Sequence, residues 1–274
     1  MVNEPVNSRS TQLDPGLTDD LTHALTSGQY FLMYQPTIDL QSGAFAGVEA
    51  LLRWRHPERG VVNPEEFIPA LEATGDIVAV GRWALRTACL QGAQWHARGY
   101  RFVVSVNVSA NELEDADFVH DVEATLVASD FDPALLVLEF SQRALLNDPE
   151  QATSRLVSLK SLGVRLAVDD FAPGHSPLAN LERFPIDLVK LDRDFIAAIT
   201  SSSEAASLVH TLVLLARTLN LQIVASGVED AEQRRRLQFE EVDIGQGFLF
   251  SRPHEVEEID RFLEDFAIFS GKPL

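Results

Sequence analysis

Apolar positions along the chain follow two alternating periods. Short β-rich runs occupy Tyr30–Gln35, Phe45–Trp54, Phe102–Asn107, Leu135–Phe140, Val164–Val168, Leu188–Leu191, Gln222–Ala225 and Ile244–Leu249. Between them lie stretches with helical spacing. Leu208, Leu212, Leu215 and Leu219 recur at intervals of three and four residues, with Val209, Val213 and Ala216 beside them, as one buried helix face requires. Helices are also predicted over 79–98 and over 149–162, the latter closed by Gly163 as a C-cap. Eight strand-like runs separated by helices predict an α/β fold, a (β/α)8 TIM-like barrel. A doubly wound open sheet is the rival, but no G-x-G-x-x-G follows the first strand.

Composition narrows the class. The length of 274 residues suffices for a full core. Residues 1–20 carry Pro5, Ser8, Ser10, Thr11, Pro15 and Gly16 with few large apolar groups, and are expected to form a mobile tail ahead of one domain over 21–274. Lys and Arg number 22 against 41 Asp and Glu, a formal net charge of −19, which argues against a nucleic-acid polymer as partner. The single cysteine, Cys89, excludes an internal disulfide framework and a Cys-rich zinc site. Flanked by Ala88 and Leu90 in a helical stretch, it reads as a core residue. No apolar run approaches the roughly 18 residues that span a bilayer, and the polar, acidic N-terminus does not read as a secretory signal. A cytoplasmic globular protein, with no membrane partner, is expected.

In a barrel of this kind the chemistry gathers at the C-terminal ends of the strands. Glu49 lies within the second run. Asn107 ends the third, Glu139 the fourth, Asp169 and Asp170 the fifth, and Lys190 the sixth; Ser226 follows the seventh, and Gln246 belongs to the eighth. A carboxylate flanked by Val and Leu is costly to bury unless it is paired or bound to a cation. Four carboxylates and an amide converging on one mouth repel without a cation, and hard oxygen ligands select Mg²⁺ or Mn²⁺, occasionally Ca²⁺. Taken singly, Asn107 could cap a turn, Glu139 could pair with an arginine and Lys190 could merely neutralise an aspartate. The adjacent pair Asp169–Asp170 after an apolar strand is the stronger sign of a metal. His56 and His175 have no second histidine at ligand spacing and are expected in loops or at the surface.

These residues belong to longer motifs. Glu49-Ala50-Leu51 lies within Val48-Glu-Ala-Leu-Leu-Arg-Trp-Arg-His-Pro57, preceded by Tyr34-Gln35-Pro36 and followed by Phe67-Ile68-Pro69. Then come Ser105-Val-Asn-Val-Ser109, Val168-Asp-Asp-Phe171, Asp187-Leu-Val-Lys-Leu-Asp192, Gly227-Val-Glu229 and Gln246-Gly-Phe-Leu-Phe-Ser-Arg-Pro253. In this order the chain resembles the EAL domains, the cyclic di-GMP phosphodiesterase fold, over about residues 27–265. The resemblance implies two-metal hydrolysis of one phosphodiester of cyclic di-GMP, giving linear pGpG. It implies Mg²⁺ or Mn²⁺ held first by Glu49, Asn107, Glu139 and Asp169, and second by Asp169 and Asp170 with a glutamate at the end of strand seven. Lys190 would orient the attacking water near Asp170, making these two the catalytic pair. Gln35, Arg53 and Gln246 look like the positions that contact cyclic di-GMP, Arg53 being suited to a phosphate oxygen. A protein partner or a homodimer is compatible with this reading. The remaining length has no room for a GGDEF domain, so a stand-alone or excised EAL domain is expected.

The sequence departs from the family pattern in three places. The usual Glu-x-x-Glu at the end of strand four reads Glu139-Phe-Ser-Gln142, and the usual Glu-Gly-Val-Glu of strand seven reads Ser226-Gly-Val-Glu229. The loop after the Asp pair, which helps shape the second metal site and the dimer contact in the family, reads Asp170-Phe-Ala-Pro-Gly-His-Ser-Pro177, with Ala172, Pro173 and Pro177 as substitutions. A serine hydroxyl is neutral and short, and does not replace a carboxylate on a hard dication. The expectation is therefore an impaired second metal site and a catalytically degenerate protein that binds cyclic di-GMP or a protein partner. An active metal-dependent phosphodiesterase is the alternative.

Overall fold

The computed structural model describes residues 20–21, 23–171 and 182–270. The strands are β1 (Tyr30–Asp39), β2 (Phe45–His56), β3 (Gly60–Val62), β4 (Val103–Val108), β5 (Leu136–Ser141), β6 (Arg165–Phe171), β7 (Leu188–Leu191), β8 (Gln222–Ala225) and β9 (Ile244–Gln246). Between and after them run helices α1 (Pro64–Thr74), α2 (Ile77–Ala97), α3 (Ala110–Glu114), α4 (Phe118–Ser129), α5 (Gln142–Asn147), α6 (Pro149–Ser161), α7 (Arg193–Ala197), α8 (Ser203–Thr218), α9 (Ala231–Phe239) and α10 (Val256–Ser270).

Eight strands close into a ring in the order β1, β9, β8, β7, β6, β5, β4, β2, with β1 pairing again to β2, while β3 hangs on the outer end of β2. This is the predicted barrel, with one correction to its regular alternation. β1 runs antiparallel to both neighbours, Gln35 facing Glu49 on one side and Thr37 facing Gln246 on the other. The cause is loop length. Residues 40–44 join β1 to β2, and a parallel crossover needs about a dozen residues or more. The seven remaining ring strands pair parallel with one another, and β5 and β7 among them are buried on both faces, which is why they read as short, mainly apolar runs.

In the outer layer α8 buries Val209, Leu212, Val213 and Ala216 as the periodicity predicts, but Leu208, expected on the same face, is exposed. α2 buries Val80, Leu85, Ala88, Cys89 and Trp95, and Trp95 meets Tyr34 of β1 edge to face at 5.0 Å while its Nε1 donates to Asp260. Cys89 is fully buried, and burial pushes its thiol up to about 12, so it acts as a small apolar core residue. α6 ends at Ser161 with Leu162 as its C-cap, and the glycine predicted to close it, Gly163, follows at a φ of +91° with its N–H bonded to the Lys160 carbonyl. His56 corrects the sequence reading. It is 5% exposed, packed edge-on against Trp54 at 4.9 Å. Its Nδ1 accepts from the N–H groups of Glu58 and Arg59, so Nε2 carries the hydrogen and donates to Asp20 at 3.1 Å. β2 extends beyond Trp54, and residues 20–21 cover it. Most of the predicted N-terminal tail, and the loop with Ala172, Pro173, His175 and Pro177, lie outside the described residues. Among the described residues no helix is long and apolar enough to cross a membrane.

Glu112 is a buried acid with a structural duty. Ser109 and Glu112 form a capping box at the start of α3: the Ser109 N–H and Oγ donate to the Glu112 carboxylate at 2.9 and 2.6 Å, and the Glu112 N–H returns to Oγ. The carboxylate presses on α2 where only a glycine fits, since a Cβ at Gly81 would lie 1.9 Å from it. Burial pushes this carboxyl from 4.5 up to about 7, against the Ser109 hydrogen bonds and with a further push from Glu72. The native state therefore keeps this proton longer than the unfolded chain. The group's stabilising contribution is present below about pH 4.5 and is lost as pH rises to about 7, at most about 3 kcal/mol. Glu112→Gln should remove that slope, so the stability gap between variant and parent should move in favour of Gln from pH 5 to pH 8 in urea unfolding. A gap independent of pH would show that Glu112 titrates alike in both states.

Candidate active site at the barrel mouth

Each strand delivers its polar residue to the C-terminal mouth by register. Asn107 on β4 stands beside Glu139 on β5, and Gln35 on β1 stands opposite Glu49 on β2. Alternation along a strand would send Asp169 and Asp170 to opposite faces. Instead the β6–β7 pairing skips between Val168 and Phe171, a bulge in which Asp170 adopts φ of +54° and its N–H bonds back to the Asp169 carboxylate at 2.8 Å. Both acids thereby border the mouth. A second backbone device holds Gln246. The next residue must be glycine, because a Cβ at Gly247 would lie 2.1 Å from the Val228 carbonyl oxygen.

At the centre, carboxylate oxygens of Glu49, Glu139 and Asp169 lie within 4.8 Å of one another. The buried Lys190 ammonium bridges all three: it bonds Glu49 at 3.1 Å, Asp169 at 3.3 Å, and Glu139 in the shortest contact of the set. Asn107 Nδ2 and Gln246 Nε2 each donate to Glu49 at 2.7 Å, and Gln246 also donates to Gln35 Oε1 at 3.1 Å. Gln35 in turn donates to the Ser251 carbonyl.

Protonation follows from these partners. Burial opposes the charge on Lys190, but three carboxylates outweigh it and hold the ammonium protonated well above the ordinary range. Burial also raises Glu49, yet Lys190, Gln246 and Asn107 together bring it below the ordinary carboxylate range. Glu139 shares Lys190 but lacks the two amide donors, and burial pushes it up to about 8 with Glu49 and Asp169 adding to the push. Asp170 is raised as well, by burial first and then by Asp169 and Asp192.

Two cavities flank this cluster, of about 670 and 560 Å³. Both are bordered by Leu51, Arg53, Pro64, Asp169 and Asp170, so they form two lobes of one cleft with Arg53 at the junction. Asn107 and Glu139 face the first lobe; Gln35, Glu49, Lys190, Ser226 and Gln246 face the second. Every sequence-selected site residue thus borders the cleft. Asp170 stays outside the carboxylate triad, and Lys190 bonds the triad rather than Asp170. Burial lowers the Arg53 guanidinium against the pull of Glu49, and its Nη1 donates to the Leu52 carbonyl. Ser226 Oγ and Gln142 Nε2, at the two strand ends that depart from the family pattern, are buried without a hydrogen-bond partner. Glu229, three residues on, borders the same lobe as Ser226, and its carboxylate pairs with Arg193 at 3.3 Å.

A closed barrel with an inverted first strand and an all-oxygen acidic mouth defines the class. The chain belongs to the EAL domain family, whose profile matches residues 18–253. Over 244 residues it is 38% identical to the bifunctional diguanylate cyclase/cyclic di-GMP phosphodiesterase MucR of Pseudomonas aeruginosa, covering 89% of this chain and 36% of that one. It is 35% identical over 250 residues to the cyclic di-GMP phosphodiesterase PdeR of Escherichia coli, covering 91% of this chain and 38% of that one. The chain thus spans well under half the length of these relatives. Among solved structures, the PaMucR phosphodiesterase in complex with c-di-GMP superposes with a TM-score of 0.85 at 38% identity, covering 89% of this chain and 99% of that one.

Removing the central ammonium leaves two buried carboxylates and the half-buried Asp169 facing one another. Lys190→Met should destabilise the protein by about 3–5 kcal/mol in the presence of a chelator. Millimolar Mn²⁺ should recover part of the loss if the same oxygens hold a hard cation. Thermal unfolding with and without Mn²⁺ measures both; an unshifted midpoint in chelator would show that the cluster does not depend on Lys190.

Proposed function

We propose that this chain binds cyclic di-GMP in the two-lobed cleft and turns it over negligibly, serving as a binding or protein-interaction module in cyclic di-GMP signalling. Ser226 carries the reading. The position just after β8 has a neutral hydroxyl, buried and without a partner among the described residues, where a second cation would need a carboxylate.

The donor chemistry divides the mouth. The buried Glu49 and Glu139 and the half-buried Asp169 bring hard carboxylate oxygens within 4.8 Å of one another, close enough to hold one divalent cation, Mg²⁺ or Mn²⁺, with the exposed Asn107 beside them to add an amide oxygen. Such an ion supplies Lewis-acid polarisation of a phosphoryl oxygen. A second ion would rest on Asp169 and Asp170 alone, and Ser226 and Gln142 do not fit it. The chain's own groups do the binding in this reading. Arg53 offers its guanidinium to a phosphate oxygen at the junction of the lobes. Gln35 and Gln246, locked to each other and to Glu49, fix the wall beside it. Lys190 and Asp170 would hold an attacking water, but the ammonium is committed to three carboxylates. We take residues 21–274 as one EAL domain acting in the cytoplasm.

One observation favours the active alternative: the first cation's carboxylates all converge. Chromatography for pGpG under saturating Mn²⁺ and Mg²⁺ decides. Losing about 3 kcal/mol of transition-state stabilisation lowers a rate over a hundredfold. The unmodified chain should form negligible pGpG, Ser226→Glu should raise the rate, and Gln142→Glu with Ser226→Glu should exceed the single change. Robust turnover by the unmodified chain would establish the phosphodiesterase instead.

A further inference from the structure

We infer that Arg143 reads a guanine base in the first lobe of the cleft; this rests on the cyclic di-GMP binding proposed above. Arg143 stands on the first turn of α5, directly after Gln142, with its side chain exposed. It borders the 670 Å³ lobe and not the other. Of the other cations at the cleft, Lys190 is held by three carboxylates and Arg193 pairs with Glu229, while Arg53 borders both lobes and is assigned to phosphate above. Among the described residues Arg143 has no hydrogen-bond, ion-pair or ring partner.

Its position is locally unfavourable. A cation in the first helical turn faces the unsatisfied N–H end, and the residues three and four further on, Leu146 and Asn147, offer no charge to offset it. A local conflict without internal compensation marks a residue kept for something outside the fold.

The cleft says what that partner is. Arg53, Asp169 and Asp170 border both lobes, so the charged phosphodiester ring of a cyclic dinucleotide belongs at the junction, with one base in each lobe. The first lobe is walled by Ile68, Ile77, Ala84, Val108 and Ala144, suited to a flat base. Arg143 lies beyond the shared residues, on the base side. Guanine presents two adjacent acceptors, O6 and N7, which match the fork of a guanidinium; adenine places an amino donor beside N7 and does not.

Calorimetric titration with cyclic di-GMP and with cyclic di-AMP, with and without Mg²⁺, tests this on the unmodified chain, Arg143→Ala and Arg143→Lys. Arg143→Ala should weaken cyclic di-GMP about tenfold or more and leave cyclic di-AMP unchanged, collapsing the preference for guanine. Arg143→Lys, a point charge without the fork, should fall between. Equal losses for both ligands would assign the guanidinium to phosphate and overturn the inference. Unchanged affinity for cyclic di-GMP in a variant that unfolds at the parent temperature would overturn it alone. Failure of the unmodified chain to bind cyclic di-GMP would overturn it together with the proposed function.

Discussion

The rest of the barrel mouth depends on one buried ammonium. Lys190 lies among Glu49, Glu139 and Asp169, each on a different strand, and no other cation bonds these three carboxylates among the described residues. In the dry interior, each acid left alone would take up a proton or draw in water. With the lysine present, the strands β2, β5, β6 and β7 converge on a common charge. The asymmetry between the acids follows from amide supply: Glu49 receives Asn107 and Gln246 in addition to Lys190, while Glu139 receives the ammonium alone. The mouth thus contains one firmly ionised acid and one that holds its proton more readily, a distinction set by two amides on β4 and β9.

Among the described residues, the two departures from the family pattern, Gln142 and Ser226, fall around this cluster rather than inside it. The three carboxylates, the lysine and the amides form a connected network, whereas Ser226 and Gln142 leave polar atoms buried and unpaired. Such groups cost stability when dry. The connected network at the centre and the unsatisfied atoms at its margins are the structural basis of the function proposed above.

Much of this was legible in the sequence, and the remainder was not for identifiable reasons. Strands such as Leu136–Ser141 announce themselves because both faces are buried and the run is apolar apart from Glu139 and the terminal Ser141. The inverted β1 had a signal, the short connection around Ser42-Gly43, that no helix could fill. β9 stops at Gln246 rather than running to Leu249 because Gly247 crosses the Val228 backbone, a contact between distant segments. His56 looked like a loop residue because its cover, Asp20, is remote in sequence. Among the site residues, types and strand ends sufficed to select Glu49, Asn107, Glu139, Asp169, Asp170 and Lys190. Alternation alone could not show that a bulge lets two successive aspartates border one cleft. Nor could it show that Gln246 is spent on Glu49 and Gln35, or that Arg143 stands without a partner.

The inverted first strand also governs when the molecule can become whole. β1 is held on one side by its hairpin partner β2, which emerges almost at once during synthesis. Its other edge pairs with β9, through Thr37 with Gln246 and Ile38 with Gly245, roughly two hundred residues later. Until that last strand leaves the ribosome, the nascent chain carries an open sheet edge and an uncapped apolar interior. Such loop closure over a long stretch of chain is slow, and unpaired edges invite association. Ring completion therefore waits on β9, and truncations that remove β9 release a partly formed sheet rather than a smaller barrel.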